Sequence, residues 1–599
     1  MNPKHTWAWV GVAVILAAFI FFFERRWQTP APGSAVLLPN FKPASVTCVK
    51  VRPANIKEIR ADRTNTTWTI TQPVVFPASQ ARVEALLSAL ETLVPAAVLS
   101  AAEMQRHPKA DAEFGFDNPQ LSLELQLSDT RKQLKFGRHT APGDQVFLQV
   151  VGGVDTYVVD AELLKLLPTS VNDWRDPALV DLRTLVFDRI FVTNAGKVIA
   201  LQREPTNTLW RITEPLSARA DLRHLLMSLQ KLQGLSISQF VTDDATADLD
   251  SFGLVPPSLS VAFARGSNTS ALLQFGKTNA AGHFFARRAG INSIVAVAPE
   301  PLAPWREQFY EFRDRQLLAL PAGLREIEVR AAENFSLLRE SSNSWRFATE
   351  TFPPDAALVD EFVTTLGRLE ITQFVKDAVL NPDLAPYGLT SPVQQIIFKM
   401  PAAAGATNSP VAHLSFGAKA GESIYVRRAD EDSVYAVKLA DFQSLPTAGW
   451  RMRQRRIWNF AESDLAKVVI HQSGKTRELI HDGTNLWSFA ANSQGILNGL
   501  ALEQVARRFC DAAEPPWVTA WVAHGEAARD ARFGFTTNSL ALTFELKRGE
   551  KFDLQFGALS PAGYPYARVT LEGEPWVFEF STALWELVLN YLTIPAKGP

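Results

Sequence analysis

The sequence is poor in the residues that most often carry chemistry. Only two cysteines, Cys48 and Cys510, stand in 599 residues. They fall at unrelated places, so a disulfide framework is excluded and two free buried thiols are expected. None of the nine histidines forms a His-x-x-x-His or His-Glu-x-x-His pair, which removes zinc-protease logic. There is no Cys-x-x-Cys, no glycine-rich dinucleotide or phosphate loop, and no Gly-x-Ser-x-Gly elbow. No catalytic residue, metal ligand or cofactor is therefore assigned, and a non-enzymatic protein is expected. An excess of one charge sign is missing too. The formal net charge is −2, so nucleic acid is not expected as a partner. The acidic runs Asp243-Asp244 and Asp430-Glu431-Asp432 lack ligand spacing and read as solvated loops.

What is present is apolar and periodic. Hydrophobic residues make up 47% and charged residues 20%, the balance of a globular chain. Trp7 to Phe23 is a run of 17 residues without a charge. As a helix it spans roughly 26 Å, at the short end of a bilayer crossing. Trp7, Trp9 and Trp27 sit where an aromatic belt would lie. A cleaved signal peptide is the rival reading. No Ala-x-Ala-like site follows Phe21-Phe22-Phe23, so an uncleaved anchor over residues 1–28 is expected. Lys4 precedes the run and Arg25 and Arg26 follow it, which leaves orientation open on charge alone. Residues 29–44, rich in Pro, Gly and Ala, read as a stalk.

Beyond the stalk the chain repeats itself. Phe114-Gly115-Phe116-Asp117-Asn118-Pro119 returns as Phe252-Gly253-Leu254, Tyr387-Gly388-Leu389 and Phe533-Gly534-Phe535, with glycine steps of 138, 135 and 146 residues. A second Phe-Gly follows each first glycine by 22 to 29 residues, at Gly137, Gly276, Gly417 and Gly557. A tryptophan precedes each by 43 to 47 residues: Trp68, Trp210, Trp345 and Trp487. Each tryptophan follows a polar turn with an asparagine, Asn65, Asn207, Asn343 or Asn485, which is a hairpin signal.

Apolar spacing predicts a helix after each hairpin: 79–94, 221–232, 356–369 and 500–513. Late alternating stretches run over 146–159, 284–297, 424–437 and 565–580. The segment 401–410 reads as a loop insertion in the third copy. The expected organisation is α+β: an N-terminal transmembrane helix, then units at 45–182, 183–319, 320–457 and 458–592. Each should be a mostly antiparallel sheet with packed helices. The junctions Trp174-Arg175-Asp176, Phe312-Arg313-Asp314 and Trp450-Arg451-Met452-Arg453 contain no flexible linker, so neighbouring units are expected to pack.

A residue type kept in every copy suits scaffold better than site, because a catalytic group is needed only once. The first glycine fits a left-handed helix cap and the second a bulge or tight turn at a strand end. The tryptophans fit core anchors, with surface stacking on a ligand as the alternative. Arginines follow the second glycine in three copies: Arg287, Arg288, Arg427, Arg428 and Arg568. A row of them is a candidate grip on an acidic partner or glycan, set against ordinary strand-exposed arginine.

The order Trp-x-Ile-x-x-Pro, amphipathic helix, Phe/Tyr-Gly-Leu/Phe-x-x-Pro, Phe-Gly and Tyr425-Val426-Arg427 resembles the bacterial domain of unknown function 4340 over about residues 45–590. The third copy delays its first proline to Pro353, and the fourth lacks both prolines. The resemblance implies one transmembrane helix with repeated units on the far side of the inner membrane. For some members it also implies an auxiliary role in an ABC-type transport system linked to gliding motility. The expectation is a non-catalytic, periplasm-facing scaffold or accessory subunit. Its partners would be the inner membrane, through Trp7–Phe23, and other membrane proteins such as ABC transporter subunits. An envelope polysaccharide or cell-wall binding module, and an enzyme with a site at a repeat junction, are the alternatives.

Overall fold

The computed structural model describes residues 36–594 apart from 55, 107–108, 206–208, 321, 343, 402–408, 496 and 511–516. The apolar run Trp7–Phe23, the start of the stalk, Asn207, Asn343 and the interior of the 401–410 insertion lie outside the described residues. Among those described, no helix is long and apolar enough to cross a membrane.

The first sheet shows how the local signals assemble. Its nine strands are β1 (Val46–Pro53), β2 (Ile59–Thr64), β3 (Thr67–Gln72), β4 (Phe76–Pro77), β5 (Ala97–Leu99), β6 (Leu121–Leu127), β7 (Arg131–His139), β8 (Gln145–Val150) and β9 (Thr156–Asp160). Thr64 pairs with Thr67, so Asn65-Thr66 is a two-residue turn. Asn65 takes φ 57°, and Asn485 does the same at 60° in the fourth copy. These are left-handed values that asparagine tolerates best after glycine.

The strands β1 to β4 run outward from the centre as a meander. A helix, α1 (Gln80–Glu91), then crosses the sheet, burying Val83, Leu86, Leu87 and Leu90. It delivers β5 to the opposite edge, and β6 returns to the centre beside β1. The order is β4-β3-β2-β1-β6-β7-β8-β9-β5.

The same plan recurs in sheets over residues 189–297, 326–438 and 465–580, with nine, eight and eight strands. The crossing helices there are α2 (Leu222–Gln233), α3 (Ala356–Arg368) and α4 (Gly499–Cys510). The Asp221 and Asp355 carboxylates accept from the backbone N–H groups of His224 and Leu358 and cap α2 and α3. The expected α+β class with repeated antiparallel sheets is thus the observed one.

Several details differ from expectation. Each late stretch is a hairpin rather than one strand, because a turn such as that at Gly152 (φ 89°) divides it. The edge strands after the helices, β5 and its counterparts at Ile237–Thr242, Gln373–Asp377 and Val518–His524, carry no clear alternation. They are short or half-exposed, and only pairing with the last strand defines them.

The two Phe-Gly landmarks are halves of one contact. Gly115, Gly253, Gly388 and Gly534 all have left-handed φ, between 66° and 82°. The fourth turn closes this way without its proline. The second glycine does not end its strand. In every copy it sits in a bulge, as at the register shift between Phe136 and His139, and the strand continues. The first turn rests on that bulge. A Cβ on Gly137 would overlap the carbonyl oxygen of Phe114, and the same overlap recurs at Gly276, Gly417 and Gly557. In the second copy the Lys277 N–H also donates to the Phe252 carbonyl at 2.9 Å.

Trp68, Trp210 and Trp487 are buried core residues, whereas Trp345 is only half-buried. Their polar partners differ as well, without deciding burial: Trp210 is buried with Leu226 at the helix position that holds an acid in the first and fourth copies. Trp68 Nε1 donates to Glu84 on α1 at 2.8 Å, and Glu84 also pairs with Arg63, whose guanidinium lies over the indole at 4.7 Å. In the fourth copy Trp487 Nε1 donates to Glu503 on α4 at 2.9 Å, and His481 occupies the cross-strand place of Arg63. His481 faces Glu503 at 3.2 Å through Nε2 and the Leu465 carbonyl at 3.0 Å through Nδ1. The third copy keeps the cation, Arg339 at 5.5 Å from the Trp345 ring, but its acid at the same spacing, Glu361, is exposed.

The chain divides into two compact units, one up to Arg313 and one from Asp314, each holding two sheets. In the first unit each sheet has its own core cluster. In the second unit one cluster runs through both sheets. Both cysteines are free thiols; Cys48 is buried and Cys510 half-buried, and burial pushes each up to about 12.

Candidate functional site

The five sequence-singled arginines do not form one row. Two faces of the sheet separate them, because side chains alternate along a strand. In the third sheet Ile424, Val426 and Arg428 point to the core face, while Tyr425 and Arg427 point to the back. Arg428 is buried and committed to structure. Its Nη1 donates to the Leu317 carbonyl at 2.7 Å, and Nε and Nη2 donate to Asp430 at 3.0 and 2.6 Å. Glu431 adds a contact at 3.4 Å. The run Asp430-Glu431-Asp432 is therefore not simply a solvated loop, since its first two carboxylates neutralise a buried cation.

Arg287, Arg427 and Arg568 share the back face, each at the same cross-strand position. Arg287 Nε donates to Gln274 at 2.7 Å, and Arg568 donates to Gln555 while lying 4.6 Å over Phe535. Arg427 differs. Its cross-strand neighbour is Ser415, and its nearest carboxylate, the exposed Asp432, is 3.7 Å away. A pocket of about 390 Å³ opens beside it, with Asn381, Gln395 and His413 in its wall.

Sequence reading missed the junction arginines. Arg175 is buried at the end of the first module and bridges to Ala78. It donates to Asp243 at 2.6 Å and lies over the rings of Phe76 (5.3 Å) and Phe240 (4.4 Å), which come from the two sheets of that unit. Asp243 also accepts from Ser293 at 2.6 Å, so it is an ion partner rather than a free loop residue. Arg453 repeats the device in the second unit. It donates to Glu572 twice at 2.7 Å and packs against Phe352 and Trp576, at 4.7 and 4.4 Å. The signal available in sequence was the recurring aromatic–arginine pair at Trp174-Arg175 and Phe312-Arg313. In the third copy the matching arginine stands three residues after its tryptophan.

Between the two sheets of the first unit runs a cleft of about 600 Å³, lined by Thr69, Phe76, Asp243, Arg288 and Ser293. A deeper part of about 230 Å³ reaches Asp176. Burial raises the Asp176 carboxyl above its ordinary range, against a hydrogen bond from the Ala178 N–H at 3.0 Å. Among the described residues, no group of three or more His, Cys, Asp or Glu side chains is arranged to hold a metal ion.

The repeat seen in the sheets is also the repeat of a known family. The model for the domain of unknown function (DUF4340) matches residues 68–209, 210–392 and 345–519. The chain belongs to the DUF4340 family. Each matched window opens on a hairpin tryptophan, Trp68, Trp210 or Trp345. The DUF4340 frame is therefore phased on the second strand of the hairpin, and each window runs past the end of its own sheet. No curated protein matches the chain in sequence. Among solved structures it is similar to the DNA polymerase III subunit beta from Pseudomonas aeruginosa at 10% identity and a TM-score of 0.13, over 66% of this chain and 92% of that one. At that score the two do not share a fold in a sense that bears on function.

Proposed function

We propose that this DUF4340 protein is a non-catalytic, membrane-anchored scaffold or accessory subunit of the bacterial envelope, serving an ABC-type transport system. The supporting observation is where the recurring residues go. Glycines shape a turn and its seat, three of the four hairpin tryptophans fill cores, and junction arginines clamp one sheet to the next within a unit. Among the described residues, no group of three or more His, Cys, Asp or Glu side chains is arranged to hold a metal ion. The run Trp7–Phe23 supplies a single-pass inner-membrane anchor, with the bulk of the chain periplasmic.

The test is isolation of the full chain from gently solubilised membranes. Stoichiometric co-purification of transporter subunits is expected, together with labelling of cysteines introduced in sheet loops by an impermeant thiol reagent in outer-membrane-permeabilised cells. Recovery of the chain alone, or protection of every loop, overturns the reading. A second reading, recognition of an acidic envelope glycan, is favoured by one observation, the pocket beside Arg427.

A further inference from the structure

We propose that the back face of the third sheet carries a binding site for a hydroxylated carboxylate, the uronate residue of an acidic glycan, with Arg427 as its anion anchor. One cross-strand row differs between the sheets. In the second sheet the row reads Ser260, Gln274, Arg287, and in the fourth Ala541, Gln555, Arg568. There a small residue lies next to a glutamine, and the glutamine holds the arginine. In the third sheet the row reads Gln395, Ser415, Arg427. Glutamine and small residue have changed places. The Ser415 side chain is too short to take the part of Gln274, and its contacts are with Gln395 Nε2 and His413 Nε2, each at 3.4 Å.

Two consequences follow from the exchange. The space a glutamine would fill is open as a pocket of about 390 Å³. The Nε of Arg427, although buried, has no hydrogen-bond partner. A buried donor left unpaired is costly, so the site favours an acceptor, and a charged one most of all.

The rest of the lining gives the ligand its class. Asn381, Thr390, Gln395, His413 and Ser415 both donate and accept hydrogen bonds, which suits hydroxyl groups. Leu384 and Leu389, from the turn at Gly388, supply an apolar wall for a sugar C–H face. Burial, aided by Arg330, lowers His413 below its ordinary value, so the imidazole is neutral near pH 7 and the pocket offers one cation to one anion. The groups facing that cation are Asp432, loosely placed at 3.7 Å and largely exposed, and the polar wall already named. Asp432 is a weak competitor that a ligand carboxylate displaces.

This inference does not rest on the scaffold reading. Binding is measured by calorimetry on the detergent-solubilised full chain with sodium glucuronate as the probe, and with glucose and acetate as controls. Saturable glucuronate binding is expected, at least ~10-fold tighter than glucose, which lacks the carboxylate for a charge-assisted hydrogen bond, and ~10-fold tighter than acetate, which lacks the hydroxyls for the polar wall. Arg427→Ala should lose the binding by ~10-fold or more. Ser415→Gln restores the row of the other two sheets, so it should abolish binding while leaving the melting temperature unchanged or raised. Asp432→Asn should tighten binding. The proposal is overturned if glucuronate fails to bind, if glucose or acetate binds equally well, or if folded Ser415→Gln binds like the parent. Partner co-purification can succeed or fail independently of each of these outcomes.

Discussion

A carbonyl group set against a glycine Cα is the smallest unit on which this fold depends. At Gly137 any side chain meets the Phe114 oxygen, which is backbone and cannot swing away. Gly137→Ala should therefore force the turn off its seat and cost about 1–3 kcal/mol, the usual range for overpacking. Denaturant unfolding of the full chain would detect it as an earlier transition of the first sheet. An unchanged midpoint would show that the turn floats. The first glycine of each pair was legible in sequence, since a helix cap is a local matter. The role of the second was not, because the group that excludes its side chain lies 22 or more residues earlier in the chain. Spacing likewise did not reveal Trp345, which matches the other tryptophans in the sequence but is only half-buried.

At the level of elements, the first and fourth hairpins are fastened to their helices through a tryptophan and a carboxylate. In the fourth sheet that carboxylate is Glu503, which is almost fully buried. Burial alone would raise it. The Trp487 N–H, the Asn485 backbone and His481 outweigh burial and hold it below the ordinary carboxylate value of 4.5. A carboxylate depressed in the folded state stabilises it fully above the unfolded value, and the contribution fades as pH falls through the folded one. Glu503→Gln should thus be less stable than the parent by about 1–3 kcal/mol near neutrality. The two should converge as the pH falls below 4.5. Melting curves of the fourth sheet's tryptophan fluorescence across that window check the sign; a gap that widens in acid would refute it. Hairpins, helices and antiparallel pairing were readable from periodicity. The far edge strands were not, because pairing rather than pattern makes them strands.

Within each unit a buried guanidinium helps clamp one sheet to the next, and in the second unit it works beside a core that runs through both sheets. Arg453 is buried against aromatic rings with its charge met by Glu572, which is half-exposed. Truncating the arginine removes packing and pairing together, whereas truncating the glutamate strands a cation among rings. Arg453→Ala and Glu572→Ala should each cost about 2–4 kcal/mol and split the unfolding of the second unit into two steps. Arg453→Lys should not rescue, since a point charge lacks the planar fork and the stacking face. A single unaltered transition in calorimetry would refute the clamp. The sequence placed aromatic–arginine pairs at two of the junctions, and within each unit the two sheets do pack. It could not indicate which carboxylate each arginine meets, because Asp243 and Glu572 lie 68 and 119 residues further on.

The central seam of each sheet has a bearing on synthesis. The strand that begins a sheet is flanked by its own hairpin on one side and, on the other, by a strand made much later; Val49 waits for Leu125, and Ile190 for Phe263. While the ribosome works through that interval, the nascent chain holds a half-built sheet with an open apolar edge. Four such intervals occur in succession. The long-range closure that makes each sheet stable also sets a recurring window in which the emerging chain is open to misassembly with its similarly built neighbour, and in which a folding helper would have most to do.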